Sequence, residues 1–228
     1  MEIHGLQKLT LLDYPEKVAC TVFLSGCNFR CPFCHNSDLV FNNFDPIMDE
    51  KEFYDFLNKR QGLLDGVCIT GGEPLIRKGL KEFIKPIKDL GFLVKLDTNG
   101  FNLKALKELV DLKLIDYVAV DIKNSKERYN ETIGVENFDI SLIEDTVSYL
   151  LEDNVDYEFR TTVVKEFHDI DSFIGIAKWI KGAKKYYLQP FVNRDSVILQ
   201  GLSEPSKEEL ESYAKYLTKY IKNVEIRG

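Results

Sequence analysis

Apolar runs alternate with stretches of helical periodicity along the chain. Six runs rich in β-branched and aromatic residues predict buried strands, at 18–24, 66–70, 92–98, 117–122, 157–164 and 185–191. Apolar residues at helical spacing predict helices over 49–60, 78–91, 103–113, 139–153, 169–182 and 206–222. Several of these helical stretches begin with Asp or Ser and two end in Gly, which are the residues that cap helices.

This alternation predicts an α/β fold. Six β/α units in series favour a parallel sheet with right-handed crossovers. A complete eight-unit barrel takes about 250 residues, and this chain has 228, so we expect a partial (β/α)6 TIM-like barrel that is open on one side. Residues 223–228 predict a short terminal strand, and residues 1–10 are expected to pair near the sheet edge. No repeat or linker interrupts the chain, which predicts a single domain over residues 1–228.

Charge and cysteine content narrow the functional class. The formal net charge is -7 and no basic tract stands apart from acidic neighbours, so we expect no nucleic-acid partner. No signal peptide precedes the first strand and no apolar run is long enough to span a bilayer, which predicts a cytoplasmic protein with no membrane partner. Five cysteines are an odd number, and their clustering favours metal or redox chemistry over disulfides.

Polar and glycine residues recur where the predicted strands end. In parallel α/β folds these carboxyl ends face one side, where the chemistry sits. The segments are Ser25-Gly26-Cys27, Gly71-Gly72-Glu73-Pro74, Asp97-Thr98-Asn99-Gly100, Asp121-Ile122-Lys123 and 189–193, and Arg160 lies within the fifth strand. One rim is therefore predicted to hold thiolates, carboxylates, a lysine and a Gly-Gly backbone.

The cysteine loop has the spacing C-x3-C-x2-C at Cys27, Cys31 and Cys34. Thiolates suit zinc or an iron-sulfur cluster, and a structural zinc normally has a fourth protein ligand. His35 is a poor candidate, because consecutive residues rarely point to the same metal. The two remaining cysteines lie inside predicted strands and are expected to be buried and inert. A cubane cluster held by three cysteines would leave one iron open to a reacting ligand.

Taken one at a time, most of these residues have a structural interpretation. A Gly-Gly pair after a strand is usually a turn. Glu73 alone is a surface carboxylate, Asp97 a turn residue and Lys123 a solvated cation. His4 and His168 are expected in loops or at the surface. It is the repeated placement of polar groups at one end of the strands that favours a functional site.

Two motifs together resemble the radical S-adenosylmethionine superfamily. The first is C-x3-C-x-aromatic-C, which includes Phe33, and the second is the Gly-Gly-Glu-Pro turn after the next strand. The segments GLQKLTLLDYPEK, CHN, LDTNG, DIK, YEFRTTVV, LQPF and NVEIRG are similar to activating proteins of anaerobic ribonucleoside-triphosphate reductase, relatives of the pyruvate formate-lyase activating enzyme. The resemblance runs from residue 5 to residue 228.

The resemblance implies a radical SAM core that binds a 4Fe-4S cluster and S-adenosylmethionine. Cys27, Cys31 and Cys34 would ligate the cluster, and with Lys123 they would form the catalytic set. The open iron would be chelated by the amino and carboxylate groups of S-adenosylmethionine. The residues implied at that cofactor are Phe33, Cys34, His35, Gly71, Gly72, Glu73, Asp97, Thr98, Asp121, Ile122, Lys123 and Arg160. The resemblance also allows a monovalent cation between the two aspartates.

The activity implied by the resemblance is reductive cleavage of S-adenosylmethionine to generate a glycyl radical on a partner enzyme. Formate-lyase activators carry a histidine just after the sixth strand, whereas this chain has Val192 and Asn193. That departure favours anaerobic ribonucleotide reductase as the partner, with a flavodoxin- or ferredoxin-type electron donor.

Other functions stay open at this point. The chain could activate pyruvate formate-lyase or another glycyl radical enzyme, or act on a small molecule such as a deazapurine precursor. A zinc-bearing binding module without catalysis is a further alternative. Residues 123–138 form a long polar connection, which is either a binding element or a solvated surface excursion.

Overall fold

The computed structural model describes residues 1–227. The strands are β1 Glu2–Ile3, β2 Gly5–Thr10, β3 Ala19–Leu24, β4 Met48–Asp49, β5 Gly66–Gly71, β6 Leu93–Thr98, β7 Tyr117–Asp121, β8 Asp156–Val163, β9 Lys185–Pro190 and β10 Asn223–Ile226. The helices are α1 Ser37–Phe41, α2 Glu50–Asn58, α3 Leu80–Asp89, α4 Leu103–Asp111, α5 Tyr129–Ile133, α6 Ser141–Leu151, α7 Ile170–Trp179 and α8 Lys207–Leu217. Short 3-10 helices lie at Pro74–Ile76 and Lys126–Arg128.

The chain forms two compact units. The first contains Met1–Asn28 and Asp38–Val118, and the second contains Phe29–Ser37 and Ala119–Gly228. In the first unit β3 pairs in parallel with β5 and β5 with β6, while β2 adds to β3 in antiparallel orientation. In the second unit β8, β9 and β10 pair in parallel. The expected pairing of the N-terminal residues is thus confirmed for β2, whereas β1 pairs with β4.

The predicted succession of six β/α units is confirmed. Strands β3, β5, β6, β7, β8 and β9 correspond to the six apolar runs, and each is followed by at least one helix. The predicted terminal strand is β10, and Gly228 lies outside the described residues. In β3, five of the six residues are buried, as expected for a strand with both faces covered.

Local capping explains where several helices begin. The side chains of Asp49, Asp169 and Ser206 each accept a hydrogen bond from the backbone amide three residues later. The side chain of that later residue accepts one from the backbone amide of the capping residue. These reciprocal bonds satisfy amides that the first helical turn leaves unpaired. Within residues 1–227 every helix is too short or too polar to cross a membrane.

Both histidines that were expected in loops or at the surface are buried. His4 is 4% exposed, and its ring forms a T-shaped contact with Phe44 in which the ring centroids are 5.5 Å apart. His168 is 3% exposed and stacks on Phe173. Both lie outside the helices and strands, so the loop placement is confirmed. The surface placement is wrong, because a single histidine carries no local signal of burial, which long-range contacts decide.

Candidate functional site

In the first unit, the turn after β5 lies directly against the end of β3. The amide of Gly72 donates to the carbonyl of Leu24 and the amide of Glu73 to that of Gly26, both at 2.8 Å. A Cβ atom at Gly71 would lie 2.1 Å from the Leu24 oxygen, and one at Gly72 would lie 2.0 Å from the Gly26 oxygen. Both glycines are therefore required by contact with the segment that precedes the first cysteine of the loop.

Glu73 is a buried carboxylate, so its interpretation as a surface residue is wrong. It is 1% exposed. Its oxygens accept from the Leu75 amide at 2.9 Å, the Thr98 hydroxyl at 2.7 Å and the Asn99 amide at 2.6 Å. The Asn99 side chain in turn donates to Asn28 at 2.8 Å. These bonds hold the ends of β5 and β6 and the cysteine-loop entrance in one arrangement.

Asp97 and Thr98 are the last two residues of β6, so Asp97 is a strand residue and its interpretation as a turn residue is wrong. The Asp97 carboxylate pairs with the ammonium group of Lys95. The Lys95 side chain is fully buried and that of Asp97 is 12% exposed. A charged pair therefore lies beneath the rim of the first unit.

The hydroxyl of Ser25 tests whether this rim fits a bound group. Ser25 is 1% exposed, and its Oγ has no hydrogen-bond partner within residues 1–227. A buried hydroxyl without a partner costs roughly 1–3 kcal/mol. Ser25 lies two positions before Cys27, where a sulfur atom of a cluster or a polar atom of a ligand would satisfy it. This buried donor fits the cluster and cofactor that the motifs imply.

In the second unit, Cys31 and Cys34 form a tight turn. The amide of Cys34 donates to the carbonyl of Cys31 at 3.0 Å. Cys31 is 7% exposed, and Cys34 is half-buried. Burial raises the pKa of the Cys34 thiol, and the positive charge of Lys123 acts in the opposite direction. The thiolates that a cluster requires therefore have a cation beside them.

Residues 124–138 are folded against the cysteine loop, so their interpretation as a solvated excursion is wrong. Tyr129 and Ile133 of α5 are fully buried. The carbonyl of Ile133 accepts from the amide of Arg30 at 2.8 Å. A Cβ atom at Gly134 would lie 2.3 Å from the Arg30 carbonyl oxygen. This segment supports the backbone between the first and second cysteines.

Asp121 is held by two cations at the end of β7. Arg160 Nε donates to one carboxylate oxygen at 2.9 Å and Lys123 Nζ to the other at 3.1 Å. Burial by itself would raise the pKa of Asp121, but Arg160 and Lys123 together hold it below its ordinary value. The Lys123 side chain is 14% exposed, so its interpretation as a solvated cation is wrong. Burial opposes its charge, yet Asp121 and Cys31 raise its pKa.

Three other predicted cofactor residues make defined contacts within the second unit. The amide of Ile122 donates to Arg160 O at 2.8 Å, and its carbonyl accepts from the Thr161 hydroxyl at 2.6 Å. Phe33 is 4% exposed and lies against the Phe167 ring. His35 stacks on Phe191 at a centroid distance of 5.2 Å, with Nε2 2.6 Å from the Val192 carbonyl.

Two residues that contact predicted site residues were missed by sequence reasoning. His168 Nε2 lies 2.8 Å from the carbonyl of Lys123, and nothing in its neighbourhood along the chain indicates this contact. Lys95 did carry a signal. It interrupts an otherwise apolar strand, as Arg160 does in β8, and the same reasoning would have singled it out.

Within residues 1–227, no three or more His, Cys, Asp and Glu side chains are grouped to hold a single metal ion. The thiolates of a cubane each bind a different iron, so the predicted cluster does not require such convergence.

The family model of the Radical SAM superfamily matches residues 21–180. The chain belongs to this superfamily. It is 35% identical to a Methanocaldococcus jannaschii protein named "Putative glycyl-radical enzyme activating enzyme MJ1227", over 99% of this chain and 95% of that protein. A second M. jannaschii protein of the same designation, MJ1632, is 27% identical over 95% of this chain and 79% of its own length.

Solved structures share the fold. Streptococcus suis SuiB bound to the precursor peptide SuiA matches 91% of this chain and 48% of its own, with a TM-score of 0.72 and 15% identity. This chain thus spans about half the length of SuiB. A domain of the pyruvate-formate lyase-activating enzyme from Bacteroides vulgatus matches 72% of this chain and 99% of its own, with a TM-score of 0.57 and 23% identity. The predicted α/β radical SAM fold is therefore confirmed.

Membership of this superfamily implies an enzyme that uses a 4Fe-4S cluster and S-adenosylmethionine. The near full-length relatives make this chain a homologue of glycyl-radical enzyme activating enzymes.

Proposed function

We propose that this chain cleaves S-adenosylmethionine reductively and generates a glycyl radical on a partner enzyme, the anaerobic ribonucleotide reductase. The observation that carries this proposal is the 35% identity to a glycyl-radical activating relative over 99% of the chain. The sequence Val192-Asn193 after β9 favours the reductase over pyruvate formate-lyase as the partner. The electron donor is of the flavodoxin or ferredoxin type, and the reaction takes place in the cytoplasm.

Cys27, Cys31 and Cys34 would hold the cluster. When bound, the cluster and S-adenosylmethionine supply the electron and the 5'-deoxyadenosyl group for hydrogen abstraction from the partner's glycine. Burial raises the pKa of Cys34 and the charge of Lys123 opposes that rise, while Cys31 raises the pKa of Lys123. This cation would therefore stabilise the anionic sulfur ligands. The protein's part is to orient the reactants and exclude water.

The trio of Asp121, Lys123 and Arg160 is suited to the polar end of S-adenosylmethionine. Two cations surround one carboxylate, which leaves one net positive charge to attract the methionine carboxylate. In the first unit, the Glu73 carboxylate already accepts three hydrogen bonds. The contribution of the Gly-Gly-Glu turn to the methionine amino group therefore comes chiefly from its backbone.

A second candidate function is the modification of a small molecule. Residues over half of this chain are 34% identical to a "Probable GTP 3',8-cyclase" of Saccharolobus islandicus, but the match spans only 37% of that protein. Because this match covers half of the chain and little more than a third of that protein, it carries less weight for the substrate than the near full-length relatives do.

The test is anaerobic incubation of the reduced protein with S-adenosylmethionine and a candidate reductase, followed by electron paramagnetic resonance. We expect a glycyl-type doublet on the partner and 5'-deoxyadenosine in equal amount. The Cys31→Ala variant serves as the inactive control and Cys68→Ala as the matched variant that keeps activity. Cleavage of S-adenosylmethionine without a partner radical, together with turnover of a nucleotide, would instead establish the small-molecule function.

A further inference from the structure

Lys95 lies among buried side chains on one face of the β3–β5–β6 sheet in the first unit, where Cys68 belongs to a hydrophobic cluster with Ala19 and Leu93. The register aligns Thr21 with Cys68 and Cys68 with Lys95, and residues aligned in neighbouring strands project to the same side. Asp97, two positions further along β6, projects to that side as well. The Thr21 hydroxyl donates to the Asp13 carboxylate at 2.5 Å. Lys95 and Asp97 therefore share one face of the sheet, with Asp97 nearer to the rim.

The stability of the fold does not by itself explain a buried lysine at position 95. The Lys95 side chain is fully buried and pairs with Asp97. Transfer of an ammonium group out of water is costly, and well-packed apolar residues in place of a buried ion pair are often neutral or stabilising. An apolar residue would suit the remainder of β6, in which Val94 and Leu96 are also fully buried. The pairing with Asp97 is the feature that an apolar residue would remove.

Asp97 in turn is part of the rim. Its side chain is 12% exposed, and the next two residues, Thr98 and Asn99, are anchored on Glu73. In the second unit, Asp121 is likewise paired with cationic side chains, Lys123 and Arg160. The family resemblance allows a monovalent cation between Asp97 and Asp121. Each of these aspartates is already paired with a cationic side chain of its own unit.

We propose that Lys95 is a positioning residue for S-adenosylmethionine binding, and that its ammonium group takes the place of a monovalent metal cation at Asp97. The inference rests on the proposed function, since it assumes that Asp97 faces the bound cofactor. Lys95 holds the Asp97 carboxylate in place and supplies the positive charge beside it, so that binding does not depend on sodium or potassium.

The first measurement requires no variant. The affinity of the cluster-loaded protein for S-adenosylmethionine is measured by anaerobic calorimetry in sodium, potassium and tetramethylammonium salts at equal ionic strength. We expect the same affinity in all three. An affinity that falls markedly when both metal cations are absent would overturn the inference, because it would show that a metal cation is bound after all.

The second measurement uses Lys95→Met, which keeps the length of the side chain and removes its charge. In tetramethylammonium salt we expect affinity to fall roughly 10- to 100-fold, the usual effect of removing an outer residue that orients a ligating group. Sodium or potassium should restore part of the lost affinity for S-adenosylmethionine, while the iron content of the variant stays unchanged. Unchanged affinity would contradict the proposed role. Weakened binding that neither metal cation restores would identify Lys95 as merely structural and also overturn it.

Two further variants separate these outcomes. Lys88→Met removes another lysine–aspartate pair of the same unit, in which Nζ lies 2.6 Å from Asp116, and should leave the affinity unchanged in every salt. If Lys95→Met does not fold, the double variant Lys95→Met/Asp97→Asn removes both charges, and its affinity should be low in all three salts. Full affinity in the double variant would overturn the inference. Failure of the wild-type protein to bind S-adenosylmethionine would refute the proposed function itself.

Discussion

His168 is held as a neutral ring by two backbone groups. Its Nδ1 accepts from the amide of Val164 at 3.1 Å, so the proton is on Nε2, which donates to the carbonyl of Lys123 at 2.8 Å. Burial lowers the pKa of His168 to about 4, although the carbonyl of Lys123 and the carbonyl of Val164, which lies 3.2 Å from Nδ1, act in the opposite direction. The ring therefore fixes the backbone of Lys123, whose positive charge acts on Cys31 and Cys34.

We expect His168 to make stability depend on pH in the acidic range. Its pKa in the fold is about 4, below the value of about 6.5 for an unfolded chain. Between these values the unfolded state binds more protons, so the contribution is complete above about pH 6.5 and decreases as the pH falls toward 4. The full difference corresponds to about 3 kcal/mol as an upper bound.

Two measurements check this prediction. Ring-nitrogen NMR of the anaerobic protein should show the neutral Nε2–H tautomer of His168 at about pH 5.5, where an exposed histidine is mostly protonated. Denaturant unfolding should give a free energy that falls on acidification, with a smaller decrease in His168→Gln. An equally steep decrease in the variant would assign the pH dependence to other groups.

At the scale of elements, α5 and the residues that follow it support the cysteine loop. The Phe138 ring meets Phe29 edge-on at a centroid distance of 5.2 Å, and Gly134 ends α5 in the left-handed conformation with φ of 63°. Asn124 anchors the start of the segment through bonds of 2.8 Å to Thr132 and to the carbonyl of Phe167. The segment is therefore a structural support for the loop.

We predict that Gly134→Ala lowers the cluster content of the protein. The new methyl group would lie 2.3 Å from the carbonyl oxygen of Arg30, and the left-handed conformation costs a residue with a Cβ atom roughly 1–2 kcal/mol. Gly182→Ala is the matched control, because Gly182 has a φ of 91° but nothing within 4 Å of the added atom. Iron and sulfide per chain after anaerobic reconstitution measure the effect, and equal content in the two variants would contradict it.

At the scale of the whole molecule, the five cysteines fall into two classes. Cys20 and Cys68 are fully buried in strands, as predicted, and burial raises the pKa of Cys20 to about 12. They are therefore protonated and inert at neutral pH. The three cysteines of the loop lie outside the strands, and two of them are half-buried.

We predict that Ala substitution of any one of Cys27, Cys31 and Cys34 abolishes an oxygen-labile 4Fe-4S cluster. Cys20→Ala and Cys68→Ala should retain it, with some loss of stability from the space left in the core. Iron and sulfide analysis with the visible absorption spectrum of the anaerobic proteins checks the prediction. Normal iron and sulfide in Cys31→Ala would disprove the ligand assignment.

The sequence by itself determined the order of the six main strands and the six longer helices, most of their limits and the cysteine spacing, whereas the short elements β4, α1 and α5 were not predicted. These features depend on local periodicity, caps and turn residues, which are encoded by residues close together in the sequence. Polar residues at strand ends were visible in the same way, because parallel strands bring those ends to one edge.

Only the tertiary structure decided how those residues are used. Glu73 is a buried acceptor because Thr98, 25 positions away, reaches it, and His168 meets the carbonyl of Lys123 across 45 positions. The support of Arg30 by α5 likewise joins residues far apart in the chain. Burial and hydrogen-bond partners depend on which distant segments come together, and no local pattern encodes that choice.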